Sequence, residues 1–311
     1  GWEQIEMTSP DLDGGARGFL MGGYESYPSI VNKIDYVTIP TLGNTTDFGD
    51  MNNATGAGAV FSSRTRGVHG GGQVPSNVNN IEYITISSTG NGQNFGDLTA
   101  LNQMMATGSS QTRGIFAGGK SNPSPANLID DRMDYVTIAS TGDALDFGNL
   151  TVARSHVQGT CSSTRMISAG GITPTNNKTI DYVTISTTGN AADFGDMVTA
   201  GYGRQMGIIS SSVRGVFGGG YGPAYLTEID YITMATTGNA KDFGDLNQDE
   251  TYSAGMCSPI RGLVAGGSDP TVSNVIDYVE IATTGNAKDF GDITTTGRAQ
   301  APGGSNGHGG L

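Results

Sequence analysis

The residues able to do chemistry in this 311-residue chain are few and scattered, apart from its carboxylates. His69, His156 and His308 are the only histidines, and they stand far apart with no facing cysteine pair at zinc spacing. Acidic residues number 29 against 16 basic ones, a formal charge of -13. Many of them recur at fixed places: Asp35, Glu82, Asp134, Asp181, Asp230 and Asp277 in one motif, and Asp47, Asp50, Asp97, Asp146, Asp193, Asp196, Asp242, Asp245, Asp289 and Asp292 in another. The acids outside these motifs, such as Glu228, Asp249, Glu250 and Asp269, are the ones that could supply the paired acid and nucleophile of a glycosidase. Asp-Phe-Gly-Asp and the Asn before it also offer oxygen ligands of the kind calcium takes, but two carboxylates per unit are few for a site needing six to eight oxygens. The structural expectation is that Asp35 and its equivalents pair with Arg17 and its equivalents, while the turn aspartates accept from backbone N–H groups.

The recurrence itself sets the fold. Ile-Asp-Tyr, followed a dozen residues later by Asp-Phe-Gly-Asp, occurs six times with small variations. Its tyrosines are Tyr36, Tyr83, Tyr135, Tyr182, Tyr231 and Tyr278, at successive spacings of 47, 52, 47, 49 and 47 residues. Each unit divides into four short strands. The first is a run of small residues such as Thr160–Ser163. The second opens at Arg17, Arg66, Arg113, Arg165, Arg214 or Arg261 and ends in a glycine pair. The third, as in Ile180–Ile185, alternates β-branched or aromatic residues with polar ones. After a Thr-Gly-Asn turn, the Asp-Phe-Gly-Asp segment forms the fourth, with phenylalanine as its one large apolar side chain. A sheet of about 48 residues cannot bury both faces alone, so the units must stack. Six of them arranged radially predict an all-β, six-bladed β-propeller with four-stranded antiparallel blades, spanning 1–311 as one domain. The segment 293–311 has the position of a first strand without a second of its own, and residues near Arg298–Asn306 are expected to complete the blade begun at Arg17. That would close the ring by pairing N- and C-terminal segments.

The acidic balance and the lack of a basic stripe argue against nucleic acid. No apolar run approaches membrane-spanning length, so no membrane insertion is expected. Cys161 and Cys257 occupy the same place in their units, where others carry Ser62, Ser109 or Ser210. Two blades apart, they are expected to be small buried side chains rather than a disulfide.

Units differ from one another chiefly in two sets of loops, those joining strands 2 to 3 and strands 4 to 1. With strands running alternately up and down, both sets emerge on one face, where a recognition surface would lie; drift in unconstrained loops would give the same pattern. That face carries tyrosines outside the repeat, namely Tyr24, Tyr27, Tyr202, Tyr221, Tyr225 and Tyr252. Such rings beside Asn, Asp and Gln suit stacking on sugars or a protein interface. Arg154, His156 and Arg204 are candidates for polar contacts at the central opening.

The order arginine, apolar strand, Gly-Gly, variable loop, tyrosine strand, turn and aromatic resembles the kelch repeat, from Arg17 to about Asp292. It departs in using Phe48, Phe95, Phe147, Phe194, Phe243 and Phe290 rather than tryptophan. The wording of Ile276–Asp292 and the ending Ser305–Leu311 resemble repeat segments of virion structural proteins of tailed phages, especially those of marine cyanobacteria. The resemblance implies a kelch-like propeller in a tail, appendage or decoration protein, located in the virion and hence extracellular. Its partners would be other virion proteins or a host-surface glycan or protein, with no cofactor and no catalysis. A propeller that only docks virion proteins and a secreted carbohydrate-active enzyme are the alternatives.

Overall fold

The computed structural model describes residues 16–121, 128–201, 206–269, 271–294 and 296–311. Among them every regular element is a strand, and the strands form six antiparallel blades around one axis. In blade 2 the order from the axis outward is Ala59–Ser62, Arg66–Gly70, Asn80–Thr85 and Gln93–Asp97. The second strands are buried along nearly their whole length, as in Arg113–Ala117. Adjacent blades cover both faces of each sheet, which removes the buried and exposed alternation of a half-solvated strand. Every third strand carries a β-bulge against the outer strand, at Ile34/Asp35, Ile81/Glu82, Met133/Asp134, Ile180/Asp181, Ile229/Asp230 and Ile276/Asp277. The bulge lets an apolar residue and the acid after it both be buried.

The arginines do not pair with these acids as expected. Each guanidinium lies over the tyrosine ring of its own blade, 4.4 Å from the centroid for Arg17 and Tyr36 and 4.8 Å for Arg165 and Tyr182. Each then donates from Nη1 to a main-chain carbonyl of the next blade. Arg17 reaches Ile86 (2.7 Å), Arg66 Ile138 (2.9 Å), Arg113 Ile185 (2.9 Å), Arg165 Met234 (3.0 Å), Arg214 Ile281 (3.1 Å), and Arg261 closes the circle on Ile39 (3.0 Å). The tyrosine in turn meets its phenylalanine edge-on, 5.9 Å between centroids for Tyr36 and Phe48. Outer strands are tied in the same sense: the Asn91 side-chain oxygen accepts from Asp50 N–H, and Gly90 N–H donates to the Phe48 carbonyl (2.8 Å). It is the turn asparagine, and Asp143 in one unit, that accepts here, rather than the aspartates of the outer strand.

Closure is made by Gly303–Ser305, which pairs with Arg17–Met21 in the register Gly18 to Ser305 and Leu20 to Gly303. In blade 5 the inner strand is reduced to a bridge between Ser210 and Gly215, with Val216 N–H donating to the Ile209 carbonyl. The preceding Met206–Gly207 pairs in parallel with the inner strands of blades 6 and 1. The inner strands meet so closely that a Cβ on Gly207 would stand 2.2 Å from the Gly255 carbonyl, and one on Gly159 2.0 Å from the Thr107 carbonyl. The axis is therefore packed at this level, which explains the small residues of the first strands.

At the end of the axis opposite the variable loops, Ser62 Oγ donates to the Ser305 carbonyl (2.6 Å), Ser109 Oγ to that of Ser62 (2.7 Å) and Cys161 Sγ to that of Ser109 (3.3 Å). Cys161 and Cys257 are both free and buried, and burial pushes each thiol up to about 12. His308 lies across this end, with Nε2 3.0 Å from the Ser62 carbonyl and 3.2 Å from Ser109 Oγ. Burial pushes its imidazole, like those of His69 and His156, down to about 4. The unfolded chain protonates such rings near pH 6.5, so between pH 6.5 and 4 it binds more protons than the folded state, and stability falls as pH falls through that window. Replacing His308 by Asn is expected to shrink the loss between pH 7 and 4.5 by about 2 kcal/mol, measured by urea unfolding across that range.

Candidate functional site

The bulged acids hold the loops that arrive from the preceding blade. Glu82 accepts from Asn52 N–H (2.8 Å), Asp134 from the Thr99 hydroxyl (2.7 Å) and N–H (3.0 Å), and Asp277 from the Asn247 amide (2.7 Å) and N–H (3.0 Å). Burial holds Asp35, Glu82, Asp134 and Asp277 above the usual carboxylate range, against the pull of these donors and, for Asp35, of Arg298. In two of the described loops an arginine is drawn in: Arg298 Nη2 lies 2.5 Å from Asp35 and Arg154 Nη2 2.6 Å from Asp181. Arg154 also donates to the carbonyls of Gly170 (2.9 Å) and Thr179 (2.6 Å). Its side chain is 0% exposed, so this sequence candidate is a fixture beneath the site rather than a ligand contact.

Above this layer the two variable loop sets meet, as their common face requires. Single β-bridges join Gly56 to Gln73, Gln103 to Lys120, Ser155 to Ile172, Thr251 to Ser268 and Ala299 to Tyr24. The residue after each bridge in the 4-to-1 loops is left-handed: Ala57 (φ 58°), Met104 (57°), His156 (57°), Tyr252 (59°) and Gln300 (53°). Among the described residues four hydrogen bonds link their main chains around the axis, an open circle. Gln300 N–H donates to Tyr252 (2.9 Å), Ala57 to Gln300 (2.9 Å), Met104 to Ala57 (2.8 Å) and His156 to Met104 (3.0 Å). The rings of His156 and Tyr252 approach across the mouth, 5.9 Å between centroids, and Ser155 Oγ lies 2.9 Å from His156 Nδ1.

Tyrosines gather along one arc of this mouth. Tyr24 and Tyr27 stack at 4.7 Å. Tyr24 is buried and takes a hydrogen bond on its hydroxyl from the Gln73 amide of blade 2. Tyr27 is 51% exposed, and its hydroxyl accepts from Gln300 Nε2 (3.2 Å). Desolvation raises the Tyr27 phenol, while hydrogen bonds with Ser268 and Gln300 oppose it; the neighbouring Tyr24 and Tyr225 add to the rise. Tyr225 is 38% exposed and meets Tyr221 edge-on at 5.2 Å. Blades 1 and 5 thus share a patch of rings.

No protein-family model and no curated protein matches this chain. Function has to be read from the face itself.

Six of the nine sequence candidates, Tyr24, Tyr27, His156, Tyr221, Tyr225 and Tyr252, share that face; Arg154 is buried below it, and Tyr202 and Arg204 lie outside the described residues. The sequence reading missed Gln73 and Gln300, which orient the tyrosines, and the left-handed positions Ala57, Met104 and Gln300. A constant offset of seven residues from Asp50, Asp97, Asn149 and Asp245 marks four of the five left-handed positions, Ala57, Met104, His156 and Tyr252, but their side chains share no chemistry. Of the acids outside the repeat, Glu250 is buried, while Asp249 and Glu228 are half-buried. Among the described residues no three His, Cys, Asp or Glu side chains converge to hold a metal ion.

Proposed function

We propose that this propeller is a noncatalytic recognition module of a phage particle, binding a host-surface glycan or protein through its variable loop face. The observation that carries this is Tyr27: half of its ring faces solvent, yet it is held in place by stacking on Tyr24 and by the Gln300 amide. An exposed ring fixed before binding loses little freedom on contact, which favours it as an anchor. The Tyr225 ring beside it and the nearby amides supply the stacking and hydrogen-bonding groups that a sugar or a polar protein surface needs. The virion setting rests on the wording of Ile276–Asp292 and Ser305–Leu311, which resembles segments of tailed-phage structural proteins. No cofactor enters this function.

Aromatic anchors of this kind are each worth about 2 kcal/mol. The variant Tyr27→Ala/Tyr225→Ala is therefore expected to bind a glycan array or host cells at least about 30-fold more weakly than the parent. Unchanged binding by this variant would remove the loop face from consideration.

Docking onto other virion proteins is favoured by a separate observation. On the opposite face Leu42 is 59%, Val213 59% and Ile260 66% exposed, in turns of blades 1, 5 and 6. Exposed apolar side chains on consecutive blades suit attachment to the particle while the loop face remains available.

A further inference from the structure

The left-handed circle at the mouth has not been given a role by the arc of tyrosines beside it. Five non-glycine residues adopt this conformation at equivalent places, and they are the only ones among the described residues that do. A left-handed backbone costs ordinary L-residues energy that glycine would avoid. Glycine is abundant here, at 50 of 311 residues, yet it stands at none of these five positions. Side chains retained at strained positions, different in every unit, on a backbone fixed by a repeated hydrogen-bond circle, are the mark of a place where side-chain identity matters.

The mouth is also a floor rather than a pore. Beneath it the inner strands meet at the axis, and His308 lies across the far end. Met104, His156 and Tyr252 are half-buried, whereas Ala57 is covered and Gln300 reaches outward to Tyr27. At this level the amide of Gln158 and the side-chain oxygens of Gln103 and Gln300 are buried without a hydrogen-bond partner within the chain. Arg154 and Arg298, beneath the circle, are neutralised by Asp181 and Asp35, while Lys120 stands close enough to His156 to disfavour its protonation.

We propose that the axial mouth formed by Met104, His156 and Tyr252, with Gln300 linking it to Tyr27, is the specificity subsite for the terminal residue of a glycan. This rests on the reading of the loop face as the binding surface. The Tyr252 ring and Met104 side chain supply an apolar surface for one side of the sugar, and His156 and the buried amides face its hydroxyls.

Glycine substitution tests this, because it removes the side chain while relieving the backbone. His156→Gly and Tyr252→Gly are expected to melt at the same temperature as the parent or higher, and to lose at least tenfold in binding to those glycans on an array that the parent retains. A purely structural role for these side chains would instead lower the melting temperature. Parent binding abolished by Tyr27→Ala/Tyr225→Ala but unchanged in both glycine variants would overturn the subsite while leaving the loop face standing. A parent that binds no glycan at all would overturn the subsite through the reading on which it rests.

Discussion

Ending the chain at Pro302 is expected to cost on the order of 5 kcal/mol or more, summing several buried hydrogen bonds at about 1 kcal/mol each and the exposed edge left behind. The lost segment supplies the inner strand of blade 1, through Gly18 to Ser305, Phe19 to Gly304 and Leu20 to Gly303. It also supplies the Asn306 side-chain oxygen that accepts from Arg17 N–H (2.8 Å), and Ser305, whose carbonyl accepts from Ser62. His308 and Gly309 bind blades 2, 3 and 5 across the axis through Ser62, Ser109 and Ser210. A ring opened at one place loses support on both sides of the break, so blades 1 and 6 are expected to gain hydrogen exchange first. Urea melts and exchange mapping of the truncated chain check this, and a variant that melts with the parent would show that the circle of arginines alone holds the propeller closed.

Asp181→Ala is expected to destabilise the protein by about 3–5 kcal/mol, because it strands a buried guanidinium. Arg154 and Asp181 are both 0% exposed and 2.6 Å apart. The double variant Arg154→Met/Asp181→Ala should recover much of that loss, since replacing a buried pair by apolar groups is often neutral or better. Asp134, which accepts from Thr99 rather than from a buried arginine, provides the comparison: Asp134→Ala is expected to cost less, about 1–3 kcal/mol. Equal losses at the two sites, by chemical denaturation, would mean that the arginine contributes no special penalty.

Much of the fold can be read from the repeat, and the structure shows why some of it cannot. The alternation of Ile180–Ile185 marks a strand, and the loops after the glycine pairs and after the outer strands do meet on one face. The partner of the repeat arginine is not legible, because adjacency in the sheet misleads. Arg17 faces Thr38 and Asp35 faces Leu20, so the two charges sit at opposite ends of a ladder, about 10 Å apart at roughly 3.3 Å per residue. The tyrosine ring and a carbonyl of the next blade are nearer. Within the site, exposed tyrosines outside the repeat are visible from sequence, as Tyr27 and Tyr225 demonstrate. Arg154 is misread because its burial depends on Asp181, a position that looks the same in every unit while the loop residue facing it changes. The left-handed circle leaves no trace in residue type, since Ala, Met, His, Tyr and Gln are not the residues that this backbone favours.

The most direct test of the proposed virion role compares the two faces in one assay, using intact host cells and purified virions lacking this protein. Tyr27→Ala/Tyr225→Ala is predicted to lose binding to cells while still attaching to particles, and Val213→Ser/Ile260→Ser to do the reverse. Cell binding that survives the tyrosine pair but disappears with Val213 and Ile260 would contradict the account, placing recognition on the face of constant turns.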